Sequence, residues 1–225
     1  MIIVTGASRG LGAAICERLV RNGEEVFGLS RSDGDFAWDG MVCDVTSKDE
    51  LRKVASYLRK RKASVTGLVN AAGIASMNLA LTTPESSIEA VMRTNLFGTI
   101  FSCQSFAPLM IRSSGGSIVN FSTIAVSLGL RGESVYVASK AGVEGFSYAF
   151  AREMSDFNIR VNNVAPGPIN TTLLKGVSDD QIHNIVKRQV LRRQFDTDDV
   201  ADIVEFLLSE KSRSISGQVM HIGGV

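Results

Sequence analysis

Short, mostly apolar runs of strand length recur along the chain and alternate with stretches of helical periodicity. They fall at Ile2–Val4, Val26–Leu29, Val42–Val45, Gly67–Asn70, Ser117–Phe121, Ile159–Val164 and Gln218–Ile222. A strand with one wet face alternates apolar and polar residues. A continuous apolar run marks a strand covered on both faces, as in a parallel sheet. Between the first two runs, Leu11–Asn22 spaces Ala14, Ile15 and Leu19 as one face of a helix and stops at Gly23. The pattern predicts an α/β chain, a doubly wound parallel sheet with helices on both faces. One crossover departs from it. Residues 31–40 hold Gly34, Trp38 and Gly40 without helical periodicity, and a parallel crossover usually needs a dozen residues or more. The second crossover helix is therefore expected to be reduced or missing, with Trp38 plugging the sheet edge it leaves. No internal repeat or long linker interrupts the pattern, so residues 1–225 read as a single domain.

Charge narrows the function classes. With 24 basic against 23 acidic residues, net charge +1, there is no electrostatic argument for nucleic acid or a membrane surface. No apolar run approaches the ~18 residues of a membrane span, and Met1 leads directly into the first strand, leaving no signal peptide. Cys16, Cys43 and Cys103 are odd in number and lack metal-ligand spacing, which points to a reduced, cytoplasmic setting. Only His183 and His221 are present, so neither a multi-histidine metal site nor a histidine triad is expected.

Two stretches carry chemistry. The first strand runs into Thr5-Gly6-Ala7-Ser8-Arg9-Gly10-Leu11-Gly12 and then a helix, a loop whose glycines let backbone approach a pyrophosphate at a helix N-terminus. Further on, Tyr136 and Lys140 are four apart and share one helix face. An ammonium beside a phenol favours phenolate and lowers a pKa that is ordinarily ~10, which suits the tyrosine to acid–base work.

These stretches, with Asp44-Val45, Asn70-Ala71-Ala72-Gly73, Asn95 and Pro166-Gly167-Pro168-Ile169-Asn170-Thr171, occur in one order. In that order and spacing the chain resembles the short-chain dehydrogenase/reductase family from end to end, with its Rossmann-like fold. The resemblance implies that Tyr136 moves the proton on the substrate oxygen. Lys140 lowers its pKa and binds the nicotinamide ribose, and Asn95 holds a relay water. A hydroxyl usually supplied by a serine thirteen positions before the tyrosine falls here on Thr123, with Ser122 beside it. Neighbours on a strand face opposite ways, and Thr123 is the favoured donor, Ser122 then being a strand-end hydroxyl bonded to backbone. Cofactor contacts are implied for Gly6, Ser8, Arg9, Gly10, Leu11 and Gly12 in the loop, for Arg31, Asp44 and Val45, and for Asn70, Ala71, Ala72 and Gly73. Tyr136, Lys140, Pro166, Gly167, Ile169 and Thr171 complete that set. Alanine at 71 replaces the second asparagine of many members and removes a side-chain brace.

An acidic residue closing the second strand would select NAD(H). Ser30 and Arg31 stand there instead, with Arg9 in the loop, and paired guanidiniums suit a 2′-phosphate; NADP(H) is the expected cofactor and no metal is. Overall texture is closest to 3-oxoacyl-carrier-protein reductases, through Ala138-Ser139-Lys140-Ala141-Gly142 and Phe146-Ser147. The arginines by which those enzymes meet a carrier protein correspond to Ser114 and Phe157 here. Lys187, Arg188, Arg192 and Arg193, on a lid placed at about 172–196, could substitute or form a solvated face. The expected reaction is reduction of a 3-oxoacyl thioester or other small ketone. A sugar or polyol dehydrogenase is the alternative, and an NADP-binding regulator the non-enzyme reading. Apolar residues around Gly98–Arg112 and Tyr136–Met154, among them Phe101, Phe106, Met110, Phe146, Tyr148 and Phe150, imply a homo-oligomer, a tetramer in this family. His183 falls in the lid segment.

Overall fold

The computed structural model describes residues 1–32, 36–171 and 178–225. The lid residues 172–177 lie outside that set. Seven strands form one parallel sheet: β1 (Ile2–Thr5), β2 (Val26–Ser30), β3 (Asp39–Val42), β4 (Gly67–Asn70), β5 (Gly116–Phe121), β6 (Ile159–Ala165) and β7 (Val219–His221). Their order is β3-β2-β1-β4-β5-β6-β7, so the chain starts in mid-sheet, winds outward one way, then returns and winds the other. This is the doubly wound, Rossmann-like arrangement expected from the apolar runs.

Alternation along the buried strands splits the core in two. Ile2 and Val4 join Val69, Val119 and Val164 on the face covered by α1 (Gly10–Arg21) and α8 (Thr197–Leu208), while Ile3, Leu68 and Ile118 join Phe27 on the other. That second face is covered by α2 (Lys48–Lys60), α4 (Gly98–Arg112) and α6 (Ser134–Met154), through Leu51, Phe106 and Phe150. Each fully buried Val, Leu, Ile or Phe contributes about 1.5–3 kcal/mol relative to an exposed one. Part of the apolar surplus on α4 and α6 is spent here: Phe106 and Met110 are fully buried against the chain's own sheet, whereas Tyr148 remains 47% exposed. The remaining helices are α3 (Glu85–Val91), α5 (Ile124–Leu128) and α7 (Asp179–Arg188). No helix among the described residues is long and apolar enough to cross a membrane.

Two details depart from the pattern. The third strand lies at Asp39–Val42 rather than 42–45, because it is the sheet edge and is mostly exposed, so it lacks the apolar signature of a covered strand. Cys43 adds one more ladder bond, its amide donating to Ser30 O at 2.8 Å, before Asp44 turns the chain. The second crossover has no helix among its described residues. In its place Phe36 and Trp38 stack at 5.1 Å, and Trp38 lies on Gly28 of β2, where an added Cβ would sit 2.5 Å from its Nε1.

Candidate active site

At the carboxyl ends of the strands a cleft of about 1020 Å³ opens where the strand order reverses, at the top of the range of roughly 300–1,000 Å³ usual for small-molecule sites. Its floor is the glycine loop. Gly6 has φ +71°, and a Cβ there would meet the Ala72 backbone at 2.9 Å; a Cβ on Gly12 would sit 2.2 Å from Gly6 O. Only hydrogen fits at either position, so the turn is tight and its backbone is bare toward the cleft. Arg9 caps α1 without a side-chain hydrogen bond, which leaves first-turn amides for an anion. A bare cradle beneath an elongated cleft fits a dinucleotide.

Of the residues expected at the cofactor, Gly6 through Gly12 (Ala7 apart), Arg31, Asp44, Val45, Ala71, Ala72, Gly73, Tyr136, Lys140, Pro166, Gly167, Ile169 and Thr171 all line this cleft. Asn70 is not among the lining residues. It is buried inside the sheet, its Nδ2 donating to Asn120 Oδ1 at 2.8 Å, so it braces β4 against β5. The asparagine brace thus survives without the second asparagine at position 71, helped by the Ala72 amide donating to Thr5 Oγ1 at 3.1 Å. Asp44 Oδ1 accepts from Thr46 N at 2.9 Å, the turn-capping arrangement, while lining the adenosine end.

Asn95 lies in a π-helical turn, Met92–Phe97, that leads into α4, an irregularity often found at functional sites. It is fully buried and away from the cleft lining. Its Nδ2 donates to Ile74 O and Ser139 Oγ, its Oδ1 accepts from Ile74 N, and its carbonyl accepts from Thr99 Oγ1. These bonds tie the segment after β4 to α6.

Tyr136, Lys140 and Thr123 converge on the cleft. Tyr136 and Lys140 stand one turn apart on α6, as their spacing requires. Thr123 Oγ1 accepts from Ala125 N at 3.2 Å, which leaves its proton to be offered into the cleft that Tyr136 also lines. Ser122 points the other way, its hydroxyl donating to Glu144 Oε1. We expect Thr123→Ala to cost far more activity than Ser122→Ala in steady-state kinetics; the opposite order would reassign the donor.

The electrostatics differ from expectation at one point. Burial, followed by the nearby Glu133 carboxylate, raises the Tyr136 pKa above its usual value. Lys140 does not pull it down here: its Nζ is 6.0 Å from the ring centroid and donates to Phe121 O at 2.9 Å. Burial alone takes the lysine down to about 8. The pair is therefore a protonated phenol beside a desolvated amine, ready to give a proton rather than take one.

Sequence reasoning missed several cleft residues: Phe36 and Cys43 toward the adenosine end, and Ile74, Met77, Thr94, Leu130, Glu133 and Ile185 elsewhere. Glu133 had a signal, since it stands three before Tyr136 on the same helix. Among the described residues of the expected lid, Ile185 on α7 reaches the cleft, whereas His183 is exposed and does not. Among the lid cations, Arg188 donates to Leu128 O at 2.8 Å and Arg193 pairs with Asp199 at 2.8 Å.

A dinucleotide cradle facing a tyrosine, a lysine and a hydroxyl at the switch point of a parallel sheet defines an oxidoreductase acting on carbonyl or alcohol groups. A family model described as enoyl-(acyl carrier protein) reductase matches residues 6–224. The chain is 35% identical over 237 residues to the 3-oxoacyl-[acyl-carrier-protein] reductase of Staphylococcus epidermidis, spanning 99% of this chain and 96% of that protein. It is 36% identical over 230 residues to the Homo sapiens protein of that name, spanning 98% and 95%. Among solved structures, the aldohexose dehydrogenase of Thermoplasma acidophilum superposes with TM-score 0.89 at 33% identity, over 99% of this chain and 92% of that one. A putative gluconate dehydrogenase from Agrobacterium tumefaciens superposes with TM-score 0.92 at 25% identity, over 100% and 94%. The chain belongs to the short-chain dehydrogenase/reductase family.

Proposed function

We propose that this protein is an NADP(H)-dependent reductase of small carbonyl compounds, 3-oxoacyl thioesters or other small ketones, working as one domain in the cytoplasm. The observation that carries the reading is the convergence of the Tyr136 phenol, the Thr123 hydroxyl and the Lys140 ammonium on the cleft that holds the glycine cradle. The dinucleotide, when bound, supplies the hydride. The chain's own part is positioning and proton transfer. Thr123 and Tyr136 orient the carbonyl oxygen, and Tyr136, kept protonated by burial, gives that oxygen its proton as charge develops there. The phenolate so formed is favoured by the Lys140 ammonium, whose Nζ stands 6.0 Å from the ring centroid. Arg9, Lys140 and the loop amides hold the dinucleotide's phosphates and ribose.

Two features support NADP(H). Arg9 and Arg31 both line the cleft, and neither makes an ion pair with a described residue. Similarity to carrier-protein reductases supports the thioester-like substrate, while the aldohexose dehydrogenase neighbour keeps a sugar or polyol as second reading. Assembly as a homotetramer through α4 and α6 would cover the exposed Phe97 and Tyr148. Purified protein should consume NADPH faster than NADH with at least one of a 3-oxoacyl thioester, a keto sugar and a small ketone, followed by nicotinamide absorbance. Binding of NADPH without turnover of any of them would favour a cofactor-sensing regulator.

A further inference from the structure

Glu133 is a carboxylate without a structural task. It is 7% exposed and stands at the N-cap of α6, yet its side chain caps nothing: no side-chain cap bond is made there. Among the described residues it forms no hydrogen bond and no ion pair, and only its backbone is used, the amide donating to Leu130 O at 3.3 Å and the carbonyl accepting from Val137 N at 2.7 Å. Lys140, two turns on along the same helix face, donates one of its ammonium protons to Phe121 O and makes no ion pair with Glu133. Buried carboxylates ordinarily have partners, because desolvation without a donor is unfavourable. The partner that this one lacks within the protein can come from the cleft, which Glu133 lines together with Tyr136 and Thr123. Away from the glycine loop that cleft is walled by Ile74, Met77, Leu130 and Ile185, with Thr94, Ser122, Lys140 and Thr171 as further polar side chains. Burial raises the Glu133 pKa above the usual carboxylate value, while the N-terminal end of the 21-residue helix that begins at Ser134 favours the charged form.

We propose that Glu133 is a specificity-determining residue, its carboxylate accepting a hydrogen bond from a hydroxyl on the carbon next to the reacting carbonyl. The favoured substrates are then α-hydroxy ketones and keto sugars rather than plain ketones or ketones bearing an adjacent anion. The spacing suits this: Glu133 is one turn before Tyr136, so a substrate oxygen on the phenol places its neighbouring substituent toward the carboxylate. Like charge on the substrate would be repelled from the same spot, which separates this chemistry from that of a 2-keto acid.

This assignment rests on the reductase reading above, and one experiment tests both separately. Hydroxyacetone and acetone are compared as substrates, with NADPH and with NADH, on the wild type, Glu133→Gln and Glu133→Leu. A hydroxyl bonded to a carboxylate discriminates by about ten- to 150-fold in kcat/KM, and that preference for hydroxyacetone is expected in the wild type. Glu133→Leu should bring the ratio to about unity, with the loss carried mainly in KM. Glu133→Gln, which keeps an uncharged acceptor of the same shape, should leave a residual preference of roughly two- to tenfold. The ratio is internal to each variant, so a general fall in activity or folding does not imitate the effect. Turnover of both ketones with a ratio unchanged in either variant overturns the assignment alone. No turnover of either ketone by the wild type with either cofactor also overturns the assignment, and the reductase reading falls with it only when a 3-oxoacyl thioester and a keto sugar go unreduced as well.

Discussion

Replacing Tyr136 by phenylalanine is expected to lower kcat by about 10²–10⁴-fold, the usual worth of a positioned general acid, while the dissociation constant for NADPH changes little. The ring is kept, so the packing of α6 against the sheet is kept too; only the hydroxyl that lines the cleft is lost. Isothermal titration with NADPH alongside steady-state kinetics makes the check. A variant that loses cofactor affinity but retains chemistry per bound cofactor would mean that residue 136 holds the dinucleotide and some other group moves the proton. The structure sharpens the expectation, because the phenol is buried, stays protonated through neutral pH and so is poised for the reductive direction.

The second large effect is on cofactor choice. Arg9→Ala with Arg31→Ala is expected to raise the KM for NADPH by about 100-fold or more, since each charge-assisted contact to a phosphate contributes about 1.5–3 kcal/mol. NADH, which has no 2′-phosphate, should be affected far less. Equal losses with the two dinucleotides would instead place both guanidiniums on the shared pyrophosphate or in solvent. The arrangement at the end of β2 argues for the selective outcome: Ser30 Oγ donates to Ser32 O at 2.5 Å, so the position where an acidic side chain would repel a phosphate holds a small hydroxyl turned back on its own turn.

Much of the framework was legible in the residues. β4 begins and ends at the residues its apolar run marks, and α4 likewise spans the stretch whose apolar positions run around its circumference. β4 is buried throughout and α4 over most of its length, so burial writes itself into composition. The third strand was misplaced by three residues because an edge strand is under no such constraint; Asp39 and Gly40 read as loop, yet pair with Phe27 and Gly28. The site divides the same way. Spacing put Tyr136 and Lys140 on one face, but motif membership could not say which side of the sheet Asn70 faces, and it faces inward to Asn120. Nor does any residue pattern announce the π-helical turn around Asn95, which depends on one extra residue per turn in a stretch of ordinary helix formers. The burial that sets the proton affinities of Tyr136, Lys140 and Glu133 is a property of the assembled walls, not of any segment.

The stacked rings of Phe36 and Trp38 have taken over the work of a whole crossover helix, and this divides the cleft mechanically. The outermost strand is held by its ladder to β2 and by one Asp39–Arg61 ion pair at 2.6 Å between half-exposed side chains, a contact of the kind that adds little. Elements so thinly covered open at low free-energy cost. On the proposed cofactor reading, the adenosine moiety would dock at this least reinforced margin of the molecule, apart from the Tyr136 and Lys140 pair over the middle of the sheet.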